Sequence, residues 1–269
     1  MTIRPATSAI PVVAGLFAAA AVAWLVVAVQ AGGMDSAPGT MGLGAAAFLG
    51  LWAVMMAAMM LPALAPLGAL YAGEGAGRGV RTGGLAAGYV LTWALFGGLA
   101  LAVSVAAGDL ADRNESAAAW VGAALLVGAG AYQLSPLKDR CLAVCRSPLH
   151  VLMRTGAYRG PLRHVRAGLY HGAYCVGCCW SLMIALIALG VMDIRWMVVF
   201  ALGVMSLAWM AFVAVLIALE KVLPWGRAVT YGTAALLLVL GVLLLAAPDA
   251  IPGLTVPDGG GMDSMRMMS

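Results

Sequence analysis

Apolar runs separated by short polar breaks fill almost the whole chain, near 10–31, 43–71, 83–107, 116–137, 168–192, 195–220 and 228–247. Each is about 20 residues or more, the length at which a helix crosses a ~30 Å hydrocarbon core. The period-two alternation of a membrane β-barrel is missing, and unpaired backbone cannot face lipid. The pattern therefore predicts an all-α fold, a polytopic transmembrane helix bundle of about seven spans. Removal of the first run as a signal peptide, after Val29 and Ala31, would leave six. That run is longer than the ~7–15 residues of a signal core, so it reads as a helix. Residues 1–248 are expected to form a single transmembrane helical domain, and 249–269 a tail rich in Met and Gly.

Composition agrees with the pattern: 64% of the 269 residues are hydrophobic and 10% charged. Charge then orients the bundle, because Lys and Arg concentrate in loops that stay cytoplasmic. With the N-terminus inside, Arg4, Arg78, Arg81, Lys138, Arg140, Arg146, Arg154, Arg159, Arg163, Arg166, Lys221 and Arg227 are cytoplasmic, leaving Arg113, Arg195 and Arg266 outside. The expected orientation is N-in, C-out in a bacterial inner (cytoplasmic) membrane, with a cytoplasmic basic loop at 138–166 and a periplasmic tail. This topology accounts for the net charge of +4 without a nucleic-acid partner. The expected partner surface is the lipid bilayer.

Candidate chemistry is concentrated in one stretch, "YHGAYCVGCCWSLM", residues 170–183. His171, Cys175 and Cys179 lie at i, i+4 and i+8 with Cys178 beside them, so a helix gathers all four on one stripe. Met183 extends it. Gly172 and Gly177 lie among them, where small residues let a neighbouring helix approach closely. Imidazole and soft thiolates suit Cu(I) or Zn(II). Cys is also an ordinary small packing residue, but three Cys and one His on one face of a membrane segment favour function. The compartment is reducing, so free thiols are expected rather than disulfides.

A second cluster, "MMAAMMLP", places Met55 and Met59, and Met56 and Met60, at i, i+4, followed by Pro62, which should bend the helix or free the Ala58 carbonyl. By depth along their helices these thioethers nearly meet the Cys175 to Cys179 level, so a shared site is geometrically open. Core filling is the alternative. Cys141 and Cys145 are likewise i, i+4, on a short helix ended by Pro148, with Lys138, Arg140 and Arg146 nearby to favour thiolate. They could load the ion, or be palmitoylated or idle. Met262, Met265, Met267 and Met268 give the tail further soft ligands, unless it is simply a disordered end. Glu220 and Lys221 close the sixth span and are expected to anchor it, paired with each other or with a loop.

The segments "MMAAMMLP", "YQLSPLKDRCLAVCRSPL", "GLYHGAYCVGCCWSLM" and "EKVLPWG" together resemble the bacterial predicted metal-binding integral membrane protein family, a domain of unknown function. The resemblance runs from the second span to the seventh. It implies a polytopic inner-membrane protein with a metal site, and it maps onto Met55, Met56, Met59, Met60, Cys141, Cys145, His171, Cys175, Cys178 and Cys179.

No phosphate-binding loop, zinc-protease helix or nucleophile elbow occurs, and no catalytic residue set accompanies the thiols. The expected function is Cu(I) binding in copper transport, delivery or homeostasis, with a copper enzyme or copper chaperone as partner. A membrane thiol-disulfide oxidoreductase using Cys175 and Cys178, with Cys141 and Cys145 as exchange pair, is the alternative, as is a structural zinc protein.

Overall fold

The computed structural model describes residues 9–31, 40, 43–71, 73, 77–191, 204–222 and 226–246. The Met-rich tail at 249–269 lies outside the described residues, as does the segment joining the fifth and sixth spans. The described residues form nine helices and no strand: α1 Ile10–Ala31, α2 Ala45–Tyr71, α3 Arg78–Arg113, α4 Glu115–Gln133, α5 Pro136–Cys145, α6 Pro148–Thr155, α7 Arg163–Val191, α8 Val204–Val222 and α9 Gly226–Ala246. Among the described residues, five stretches are long and apolar enough to cross a membrane: Ile10–Gln30, Ala45–Tyr71, Arg78–Leu110, Arg163–Leu186 and Gly226–Leu243.

Local signals set the helix ends. Asn114 alone separates α3 from α4, and its side chain caps α4 by accepting from the Ala117 amide at 2.9 Å. Ser135 caps α5 in the same way, accepting from the Lys138 amide at 3.2 Å, with Pro136 in the first turn. The basic segment 138–166 is therefore largely helical. Pro148 opens α6 rather than merely closing α5. The helix of α2 continues through Pro62 and Pro66.

Packing follows small residues. On α1, Val12, Leu16, Ala20, Ala23 and Val27 are buried at helical spacing, and α1 lies along α2. The most extensive contact is between α3 and α7, where Gly84 and Gly88 on α3 meet Gly168 and Gly172 on α7. A Cβ at Gly88 would stand 2.8 Å from the Val165 carbonyl carbon, and one at Gly168 would stand 2.8 Å from the Tyr89 amide nitrogen. Both helices carry a small-xxx-small pair, and only glycine lets their backbones touch in this way. Trp52 of α2 donates to the Trp93 carbonyl of α3 at 3.0 Å, so α3 is packed between α2 and α7. The spans carrying the Met rows and the thiol stripe are not a major packing pair; α3 occupies the main face of α7.

Candidate metal centre

The helical period of α7 brings together three of the four residues of the predicted stripe; His171 is not in that group. His171, Cys175, Cys178 and Cys179 are all buried, and the Sγ atoms of Cys175, Cys178 and Cys179 all lie within 4.8 Å of one another. Cys178 and Cys179 are neighbours in sequence and diverge by about 100° around the helix, yet side-chain rotation brings their sulfurs to 3.3 Å. All five cysteines are free thiols.

Three other helices close on this cluster. From α5, Cys145 places its sulfur 3.6 Å from Cys178 Sγ. From α3, the Tyr89 hydroxyl lies 2.8 Å from Cys175 Sγ. From α8, Lys221 Nζ donates to Cys175 Sγ at 3.0 Å. The His171 ring stacks on Tyr89 with centroids 5.6 Å apart, and its Nδ1 is buried without a hydrogen-bond partner. A buried imidazole nitrogen left unpaired is unusual, and it keeps a lone pair or a proton available to a ligand. Gly172 and Gly177 seat neighbours as expected: Gly172 lies against Thr92 of α3, and Gly177 against the Cys141 sulfur of α5.

A model of the PpoB2 family, described as copper chaperone, matches residues 49–202 and 197–244, more than half of the chain. The chain belongs to that family. No curated protein and no solved structure matches it. Membership in PpoB2 and the three-cysteine cluster together support a copper-related metal-binding role.

The donor set fits a soft ion. Metal–sulfur bonds of ~2.3 Å separate two thiolates by roughly 3.8 Å around a tetrahedral ion and roughly 4.6 Å across a linear one. The three sulfurs lie within 4.8 Å of one another and Cys145 is 3.6 Å from Cys178, close to these separations, while the 3.3 Å between Cys178 and Cys179 would have to open slightly around an ion. The hard oxygen ligands that calcium or magnesium would need are absent from this group of sulfurs.

Other expectations change. Met56, Met59 and Met60 are buried, Met55 half-buried, and the first three share one continuous core with Cys175, Cys178, Cys179 and Met183. They are nevertheless on a helix with no extensive face against α7. Lys138 does not serve the Cys141 and Cys145 thiols. Its ammonium is buried in a salt bridge to Glu220 at 2.8 Å and also bonds Gln133. Burial pushes the Cys141 thiol above its usual range. Hydrogen bonding to Cys175 pushes Cys145 up as well, the opposite of the activation that nearby cations suggested. Glu220 and Lys221 do not pair with each other, because adjacent helical residues point apart; of the two expected arrangements, Glu220 takes the pairing with the basic segment 138–166. Glu220 takes Lys138, and Lys221 takes Cys175. Tyr89 and Lys221 are the site residues that the sequence reading missed.

Proposed function

We propose that this chain is an integral membrane copper chaperone that carries Cu(I) on Cys175, Cys178 and Cys179 and passes it to a copper enzyme or another copper carrier. The observation that carries the reading is the set of three buried sulfurs within 4.8 Å of one another. Cys145, 3.6 Å from Cys178 Sγ, is the next donor, Cys141 follows one turn before it on α5, and the unpartnered Nδ1 of His171 is a further candidate. Met56 and Met59 are weaker reserve ligands at the same depth, and Met55 and Met60 complete the thioether rows. The chain spans the inner membrane seven times, N-in and C-out, as one domain over 1–248, with 249–269 as a periplasmic Met-rich tail. Ions are captured as soft sulfur complexes and exchanged between neighbouring sulfurs, since a carrier must bind without trapping its cargo.

Metal analysis of the purified full-length protein tests this, with Cys175→Ser and Cys178→Ser beside it. Copper bound by the parent and lost from both variants is the expected result. Equal copper in all three overturns the reading, and zinc throughout turns it to a structural site.

The 3.6 Å approach of Cys145 to Cys178 favours a second reading, a thiol-disulfide exchanger that uses this interhelical pair rather than Cys175 with Cys178. Thiol trapping in cells separates the two. Cysteines that stay reduced under oxidant leave only the metal reading.

A further inference from the structure

Resting on the copper reading above, we infer that Lys221 is the residue that sets the metal preference of the site, favouring a monovalent soft ion over a divalent one. Its Nζ is 3.0 Å from Cys175 Sγ. Its only adjacent acid, Glu220, is already matched by the Lys138 ammonium at 2.8 Å, with both side chains at most 1% exposed. The positive charge of Lys221 is thus not cancelled by its neighbour and faces the sulfur cluster directly.

Thiols bind a metal as thiolates. For any given number of thiolates, a cluster holding Cu(I) carries one more negative charge than the same cluster holding Zn(II). A fixed cation beside the cluster therefore stabilises the monovalent complex by one extra unit of charge–charge attraction. At a few ångströms in a protein interior that attraction is large. The lysine is only half-buried, so solvent trims it. Tyr89, on the same sulfur at 2.8 Å, is neutral and supplies a hydrogen bond without this discrimination. Nothing in copper binding itself requires a lysine on a ligand sulfur. Its placement adds selectivity to a donor set that would otherwise accept either ion.

The experiment is a competition titration of the purified full-length protein in detergent, with Cu(I) against a Cu(I) chelator and Zn(II) against a zinc chelator. Parent, Lys221→Met, Lys221→Gln and Lys221→Arg are compared. The ratio of Cu(I) to Zn(II) affinity is expected to fall at least about tenfold in Lys221→Met and Lys221→Gln. It is expected to stay near the parent value in Lys221→Arg, which keeps the charge. A packing role would weaken both metals together and leave the ratio alone, and that result overturns the inference. So does a ratio that falls equally in Lys221→Arg. If Lys221→Met is not recovered folded, the ratio in Lys221→Gln decides. A parent that binds neither metal defeats the copper reading itself, a failure distinct from an unchanged ratio.

Discussion

Replacing Gly88 with alanine is expected to weaken the fold and loosen the metal centre together. An alanine Cβ there would stand 2.8 Å from the Val165 carbonyl carbon and 2.9 Å from the Leu169 amide nitrogen. Both are backbone atoms of α7, so no side chain can rotate away. Ordinary carbon contacts need the helices to part by roughly half an ångström or more. Overpacking of this kind costs about 1–3 kcal/mol, whereas alanine in a helix gains at most about 1 kcal/mol over glycine. The clash with rigid backbone puts the loss at the upper end, so the net effect is destabilising. Tyr89 follows Gly88 directly, and its hydroxyl sits 2.8 Å from Cys175 Sγ. A shift of that size moves the hydroxyl relative to the sulfur cluster it touches. Thermal unfolding in detergent measures the first effect and retained copper the second. Gly98→Ala is the control: it lies on the same helix with nothing within 4 Å of its added Cβ, and should leave stability unchanged or slightly raised. A Gly88→Ala protein as stable as Gly98→Ala would refute the claim that α3 and α7 are in backbone contact.

Lys138→Ala should lose roughly 3–5 kcal/mol, because it leaves the Glu220 carboxylate buried and alone. Lys138→Met combined with Glu220→Leu should recover most of that loss in the same unfolding assay, and a single variant as stable as the parent counts against the buried pair. Cys141, in a chain whose other four cysteines are serine, should be alkylated slowly at neutral pH. Burial raises its thiol above the usual range, so it stays protonated until the pH exceeds that of an unperturbed thiol. A midpoint of the alkylation rate at or below that of a free cysteine peptide would contradict the packing of Cys141 on Gly177.

The helices were legible because long apolar runs, suited to crossing a membrane, leave few options. A run of about 20 apolar residues facing lipid has to be a helix, although the helices pass through proline and charge, as α2 does at Pro62 and Pro66 and α3 at Asp109 to Arg113. The thiol stripe was legible for the same reason, since a helical period places Cys175 and Cys179 one turn apart wherever α7 packs. Which helix packs on which is a different kind of information. Tyr89 and Lys221 reach Cys175 from 86 and 46 positions away, and neither residue type announces a metal site. One signal for α3 was present and unread: Gly84 and Gly88 match Gly168 and Gly172 in spacing, and paired small residues are how membrane helices find each other. Reading it would have paired α3 with α7. Position along a helix fixes one coordinate only, and α2 and α7 each pack on α3 more than on each other.

The same contacts divide the centre into a fixed and an exchangeable part. Cys175, Cys178 and Cys179 stand on α7, whose backbone is locked to α3 through four glycines. Cys145 stands on α5, a helix of ten residues. Its inner attachments include the Cys141 contact with Gly177 and the Lys138 bond to Glu220. Under the proposed function, Cys145 is the sulfur that stands on a separate helix from the other three and can change partners without moving α7, and Cys141 lies one turn before it on the same face. Glu220 and Lys221 then join the two parts. One of these adjacent residues holds the helix of Cys145 and the other holds Cys175, so a displacement of the end of α8 acts on both ends of the sulfur path at once.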